Sequence, residues 1–257
     1  IELGIRGPWQ VISSGCAASL DAMGMASMMI QQGMAKRAIV IGVELPLIPA
    51  VLKAYADTGV LASSMVNDPY SSHTSGLFPA EAGAALVLEA VTNQASERLR
   101  SRPLMTGYWC NSDADSPIGM PSDGSGLRAC LEQALAGLKD EPAIAAICPH
   151  ASGTLLHAKA ELAALKAVLP VDQPISLHPL KPYTGHSVGA NGVLDCAILA
   201  SYLQNRELPP NLDGITCPGA PFKLEANPLS KQGTTVLKIA VGMGGHNSIV
   251  SLRSPSA

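Results

Sequence analysis

One thiol and two imidazoles stand in sequence contexts that suit chemistry. Cys16 lies in Ser13-Ser14-Gly15-Cys16-Ala17-Ala18-Ser19-Leu20, where a long Ala/Met-rich stretch begins. A cysteine at a helix N-terminus meets free N–H groups and a partial positive charge, and both favour the thiolate, the nucleophilic form. Taken alone, Cys16 reads more readily as an ordinary buried cysteine, since free Cys is among the most buried residue types. His150 and His186 change that balance. Pro149-His150-Ala151-Ser152-Gly153-Thr154 follows the apolar run Ala143 to Cys148, which places His150 on a loop past the C-terminal end of a strand. Ligands and chemistry gather at such ends in α/β folds. Lys181-Pro182-Tyr183-Thr184-Gly185-His186-Ser187-Val188-Gly189-Ala190 leads into the apolar segment Val193 to Leu203, which places His186 near the start of a helix.

The elements that must carry these groups alternate between helices and buried strands. Cys16 to Gly33 reads as a helix ended by glycine, and Arg37 to Val43 as a strand whose continuous apolar run predicts cover on both faces. Pro46 to Pro79 is rich in Pro, Ser and Gly and is placed as long loops with short helices. Ala84 to Leu88 returns as a strand, Thr92 to Arg102 is a polar junction, and Leu104 to Trp109 opens a second α/β unit. Gly124 to Lys139, His157 to Val168 and Ser187 to Leu203 read as helices; Ile144 to Cys148, Pro174 to Leu177, Val236 to Val241 and Ser248 to Leu252 read as strands. This alternation argues for layered sheets with helices between and outside them. The 257 residues, 47% of them hydrophobic and 4% aromatic, can bury a sizeable core filled mainly by Ala, Val, Leu and Met.

The motifs resemble, in order and in kind, the β-ketoacyl synthases of the thiolase fold, the condensing enzymes of fatty-acid and polyketide assembly. Gly15-Cys16-Ala17-Ala18-Ser19-Leu20 is similar to the nucleophile motif, His150 to Thr154 to the family's His-Gly-Thr-Gly-Thr, and Lys181 to His186 to its Lys-x-x-x-Gly-His. Gly242-Met243-Gly244-Gly245-His246-Asn247-Ser248 is similar to Gly-Phe-Gly-Gly-x-Asn. Gly42-Val43-Glu44 and Glu81 agree as weaker anchors. The resemblance implies a layered α/β/α/β/α fold, incomplete in this chain: residues 1–91 belong to the N-terminal half with the nucleophile helix, and residues 103–257 form the C-terminal half with both histidines. It also implies the roles. Cys16 takes an acyl group from a carrier thioester. His150 and His186, as neutral imidazoles, donate to a malonyl thioester carbonyl as carbon dioxide leaves. Lys181 orients and polarises the histidine region. The backbone N–H groups of Cys16 and Met243 form the oxyanion hole, and Met243, Gly244 and Thr154 line the substrate pocket. No cofactor or metal is expected in the chain; phosphopantetheine arrives on the carrier protein or as CoA substrate.

The same resemblance implies an acyl carrier protein as partner and assembly as a dimer or heteromer. Because Ile1 lies only 15 residues before the nucleophile, the expectation is that an N-terminal synthase fragment or a second ketosynthase-like subunit packs against this chain and covers its sheet edges. Met243 replaces the usual Phe, Ala158 an expected acidic residue with Glu161 at the next family position, and Pro69-Tyr70-Ser71 the usual Pro-Phe-Asp. These departures leave room for a ketosynthase-like acyltransferase. A non-condensing chain-length-factor-like subunit would normally lack Cys16; a thiolase would carry a second cysteine in the last Gly-rich motif, a chalcone-type synthase Asn for the second His, and a Ser/His hydrolase a G-x-S-x-G elbow.

Net charge of −3 and a pI near 6.1 give no reason to expect nucleic-acid binding. Arg98, Arg100 and Arg102 could form at most a small basic patch. No segment reaches the length of a membrane span. The six cysteines lack C-x-x-C pairing and metal-ligand spacing, which fits a reducing cytoplasm.

Overall fold

The structure, a computed structural model, describes residues 4–91, 97–225, 229 and 233–255; residues 92–96 of the junction and the Arg98 side chain lie outside the described residues. Gly15, at φ +62°, turns the chain into a single 3-10 turn over Gly15–Ala17 that continues as α1 (Ala18–Gln31). The helix ends where Gly33 adopts φ +73°, the left-handed conformation glycine tolerates without penalty. There follow β1 (Arg37–Glu44), α2 (Pro49–Asp57, opened by its proline), β2 (Ala82–Glu89) and the short α3 (Glu97–Arg100). The second half contains β3 (Leu104–Ser112), α4 (Ser125–Gly137), β4 (Ile144–Cys148), α5 (Leu155–Val168) and β5 (Ile175–Leu177). It continues with α6 (Lys181–Thr184), a 3-10 turn over Val188–Ala190, α7 (Asn191–Gln204), β6 (Phe222–Lys223), β7 (Thr235–Gly242) and β8 (His246–Arg253).

β1 and β2 pair antiparallel, and the other strands form one mixed sheet in the order β3-β8-β7-β4-β5-β6. Four layers result. Between the sheets lie α1 and α7, whose Leu20, Met23, Val193, Cys196, Leu199 and Leu203 meet Val40 on one side and Ala146, Val236, Ala240 and Val250 on the other. On the far face of the large sheet, Leu127, Leu131, Ala164 and Leu165 of α4 and α5 pack on Ile147, Leu237, Ile239 and Ile249. Each fully buried Leu or Met contributes roughly 1.5–3 kcal/mol. β7 is sandwiched, so alternate residues enter different cores and the strand reads apolar, Lys238 and the opening Thr235 excepted.

The layered α/β fold and the order of elements follow the sequence expectation, with ends shifted by a few residues. One expectation fails. The apolar run of β1 predicted cover on both faces, yet only Val40 and Gly42 are buried, while Ile39, Ile41 and Val43 are exposed opposite Val87, Ala85 and Gly83. The strand alternates because α1 and α7 cover one face and no layer of described residues covers the other.

The approach of α7 to α1 depends on Gly192. A Cβ there would lie 2.5 Å from the Leu20 backbone nitrogen and 2.9 Å from its Cα, atoms that cannot rotate away. Gly192→Ala in the full natural polypeptide is expected to cost about 1–3 kcal/mol through overpacking, read as a lower urea midpoint with unchanged slope; an unchanged midpoint would show that the helices can separate freely.

Candidate active site

Four loops converge on the space above β4 and β7. The thiol of Cys16, 7% exposed, faces its own N–H and the N–H of Met243 in the turn that joins β7 to β8. That turn is closed by the Gly245 N–H donating to the Gly242 carbonyl at 3.2 Å. Two residues before Met243, the Val241 N–H donates to His150 Nδ1 at 3.2 Å. At the rise of a strand, the Met243 and Val241 nitrogens are separated by about 7 Å, so the β7 end reaches both the nucleophile and the first imidazole. Gly189 packs at the Gly15 carbonyl, and its N–H donates to Glu44 Oε2 at 3.2 Å, which ties the turn after His186 to the nucleophile turn and to β1.

His150 and His186 are 3% and 2% exposed, with ring centroids 5.2 Å apart at an interplanar angle of 80°. The Val188 N–H donates to His186 Nδ1 at 3.1 Å. Since each Nδ1 accepts from the backbone, the neutral form of each ring carries its proton on Nε2. Burial first, and the Lys181 charge second, hold both imidazoles well below their ordinary range. The site therefore presents two neutral Nε2–H donors at neutral pH.

The nucleophile departs from expectation. Burial pushes the Cys16 thiol up to about 11, against the opposing pull of Lys181 and the Met243 N–H. A helix N-terminus alone does not make it a thiolate, because desolvation costs the anion more than the local dipoles return.

Lys181 is buried, and its Nζ donates to the His150 carbonyl. Lys238, buried in β7, reaches the preceding carbonyl of Pro149 at 3.4 Å and pairs with Asp195 of α7. Two ammonium groups thus hold successive carbonyls of the histidine loop. Burial, then repulsion from Lys238, lowers Lys181 to about 8; burial would lower Lys238 too, but the charge and hydrogen bond of Asp195 together with the neighbouring Cys148 and Cys196 raise it. Glu161 of α5 fixes the same loop from below. It accepts from the His150 N–H at 2.6 Å, the Ala151 N–H at 3.1 Å and the Tyr70 hydroxyl at 3.0 Å, with His157 Nε2 at 3.5 Å. Burial would raise this carboxyl, but His157 and the two N–H groups prevail and hold it below its usual range.

Thr154 caps the start of α5 with extended backbone and lies beside Ser152, its hydroxyl 3.2 Å from the Ser152 hydroxyl. Met243 is 45% exposed at the mouth of the site, with Gly244 next to it at φ +89°. Among the described residues no cluster of His, Cys, Asp or Glu has metal-binding geometry, all six cysteines are free, and no helix is long and apolar enough to cross a membrane. Arg100 is exposed, and Arg102 donates to Gln204 at 2.6 Å.

Comparison with known proteins gives the family. The family model described as the beta-ketoacyl synthase N-terminal domain matches residues 1–93, and that of the C-terminal domain matches residues 104–214. The chain belongs to the β-ketoacyl synthase family. It is 28% identical to the tetracenomycin polyketide synthase ketoacyl synthase alpha subunit of Streptomyces glaucescens, over 99% of this chain and 62% of that protein. It is also 28% identical to the chloroplastic 3-oxoacyl-[acyl-carrier-protein] synthase I of Arabidopsis thaliana, over 98% of this chain and 55% of that protein. The chain thus spans less than two thirds of the length of these relatives. Among solved structures it resembles a type II polyketide ketosynthase in complex with its acyl-carrier protein and bound to the hexaketide. The TM-score is 0.86 with 26% identity, over 98% of this chain and 64% of that one.

Within this ketosynthase fold, several site residues escaped the sequence reading: Asp21, Tyr70, His157, Asp195 and Lys238. Their signal was present as single charged residues inside otherwise apolar runs, Asp21 in α1, Asp195 in α7 and Lys238 in β7. A lone charge there must be paired to be buried.

Strain marks the residues behind both histidines. Ala151 has φ +46° and Val188 φ +40°, the latter an outlier for a β-branched side chain. Ala151 occupies a position that is Gly in the family motif. Ala151→Gly is expected to stabilise the protein by up to about 1 kcal/mol, relief of left-handed strain exceeding the added entropy of the unfolded chain; a lower thermal midpoint would contradict it. For Glu161 the folded carboxyl titrates below its unfolded value, so it contributes stability above the unfolded value that is lost as pH falls through the folded one. Glu161→Gln should flatten the loss of stability below about pH 5; a urea-midpoint profile parallel to the wild type would refute that assignment.

Proposed function

We propose that the chain catalyses decarboxylative Claisen condensation of a Cys16-bound acyl group with a malonyl thioester, as an acyltransferase of fatty-acid or polyketide-type biosynthesis. One observation carries the reading: two dry imidazoles, each with Nδ1 capped by a backbone N–H and Nε2–H left to donate, beside a thiol that faces two further N–H groups. The thiol forms a thioester by displacing the carrier thiol, which leaves with the proton of Sγ. The bond between the malonyl α-carbon and its carboxylate then breaks, carbon dioxide departs, and the electron pair delocalises onto the thioester oxygen. His150 and His186 Nε2–H stabilise that enolate oxygen. The α-carbon attacks the Cys16 acyl carbonyl, and the Cys16 and Met243 N–H groups hold the transient oxyanion. Collapse releases the 3-oxoacyl thioester and the Cys16 thiolate, which takes a proton from water.

Burial, reinforced by Lys181 and Lys238, keeps the imidazoles neutral, the form that donates without demanding a counter-charge. Met243, Gly244 and Thr154 are read as lining for the acyl chain. The chain needs no resident cofactor in this scheme, since phosphopantetheine comes with the substrate. The similarity to a ketosynthase solved with its acyl-carrier protein supports a carrier protein as partner. The exposed apolar face of β1 and β2 is where we place a further ketosynthase segment of a dimer or heteromer, and six free cysteines suit a reducing compartment such as the cytoplasm. Residues 1–91 and 103–257 are read as parts of the two pseudo-equivalent halves.

Cys16→Ala in the full natural polypeptide is expected to abolish acyl loading seen by intact-mass measurement. His150→Ala or His186→Ala should retain loading and lose carbon dioxide release by about 10²–10³-fold. Loading that persists in Cys16→Ala would overturn the mechanism.

A further inference from the structure

We propose that Asp21 and His246 are positioning residues for the oxyanion hole, their ion pair clamping the turn that carries the Met243 N–H to the turn that carries Cys16. This inference rests on the condensing reading for the reaction the hole serves. Asp21 lies on the inner side of α1 and is 5% exposed. One carboxylate oxygen, Oδ2, accepts from the Ser14 hydroxyl and contacts His246 Nε2 at 2.8 Å; the other, Oδ1, accepts from the Tyr108 hydroxyl of β3 at 2.9 Å. Ser14 is two residues ahead of Cys16, and His246 is three residues beyond Met243. A single carboxylate therefore fastens both flanks of the hole and anchors them to the outer strand of the sheet.

The two turns are in direct contact as well. A Cβ on Gly242 would lie 2.9 Å from the Ser14 carbonyl, and one on Gly245 2.7 Å from Asp113 Cβ. Asn247, next to His246, donates to Asp113 Oδ1 at 2.6 Å and Asn111 Oδ1 at 3.0 Å, which fixes the hairpin against β3 from its other side. Without the Asp21–His246 link, the Gly-rich turn keeps its own 3.2 Å closure, the Asp113 N–H donated to the Gly245 carbonyl at 2.8 Å and this lateral clip, but loses its charged tie to α1. A donor pair must hold its geometry to about 0.5 Å to stabilise an oxyanion. The pair is also electrically suited: His246 is raised by its contact with Asp21, against partial burial, and Asp21 is lowered by His246 and Ser14 despite burial. Both shifts favour the charged form of the pair. Neither residue touches the reacting atoms in the proposed mechanism.

The two half-reactions separate this role from general structural support, because the enolate is held by His150 and His186 and the acyl oxyanion by the clamped N–H groups. In the full natural polypeptide, His246→Ala and Asp21→Asn are expected to slow Cys16 acylation by an acyl-phosphopantetheine thioester roughly tenfold or more. Carbon dioxide release from malonyl-phosphopantetheine should stay within about twofold. His246→Gln, which keeps a donor toward Asp21, should restore most of the loading rate. Should Asp21→Asn fail to fold, the two variants of the part-exposed His246 carry the test. Unchanged loading, or loading and decarboxylation that fall together, overturns the clamp. If the wild-type chain itself does not load, the condensing reading fails, and the clamp is judged by alkylation of Cys16 with iodoacetamide, read by peptide mass. Loss of the Met243 N–H should slow that alkylation in His246→Ala; an equal rate would overturn the clamp on its own terms.

Discussion

The site depends on keeping ionisable groups dry between two apolar layers. Moving an imidazole, an ammonium or a carboxylate out of water costs several kcal/mol unless it is neutral, paired or fully hydrogen-bonded. All three solutions occur within a few residues. His150 and His186 are neutral, Lys238 and Asp195 are paired, and Glu161 receives backbone and phenol donors. The surrounding architecture follows from these needs. The loop bearing Tyr70 and Thr74 folds over the site so that Tyr70 reaches Glu161 and Thr74 reaches the Gly153 carbonyl at 2.7 Å. The stretch Phe78 to Ala80 pairs with both backbone groups of His186, at 2.6 and 3.0 Å.

Only one of the two buried lysines is paired directly with a carboxylate, and the asymmetry has a chemical use. Lys238 takes Asp195 and Lys181 is left with a carbonyl, so burial and the Lys238 charge pull Lys181 down to about 8. Both cations still act on the imidazoles and oppose their protonation. With Cys16 pushed up by burial as well, the resting site carries little charge where bonds change. Charge that develops on a reacting oxygen then meets donors already in place, and this is the condition under which fixed dipoles accelerate a reaction most.

Much of this was legible in the sequence. Cys16, His150, His186, Lys181 and the Gly-rich turn each sit in a short motif with a local reason to be where it is, and the element order followed from apolar runs and glycine stops. What the sequence could not show were the pairings across elements. Asp195 meets Lys238 from 43 residues away, and Tyr70 meets Glu161 from 91. Periodicity identifies which face of an element is buried but not which partner it finds. Nor could it reveal that β1, apolar throughout, leaves Ile41 and Val43 exposed, since an apolar run has the same pattern whether its second face is covered by this chain or by another surface. The strain at Ala151 and Val188 was hidden for a related reason: only glycine announces a left-handed position, and neither residue is glycine.

The hairpin of β7 and β8 acts as the ruler that sets all these distances. Along one continuous stretch, Lys238 binds Asp195, Val241 binds His150, Met243 faces Cys16 and His246 meets Asp21. Successive side chains of a strand point to opposite faces, so a slip of one residue would exchange the two sets. Lys238 would enter the core formed by Leu127, Leu131 and Leu165, and Leu237 would face Asp195. An unpaired ammonium on one side and an unpaired carboxylate on the other would each cost several kcal/mol. The slipped register is therefore excluded by the same buried charges that tune the site. The Lys238–Asp195 pair need not add net stability over an apolar substitute to serve this purpose; it makes the alternatives worse, and so fixes where the N–H groups of Val241 and Met243 stand.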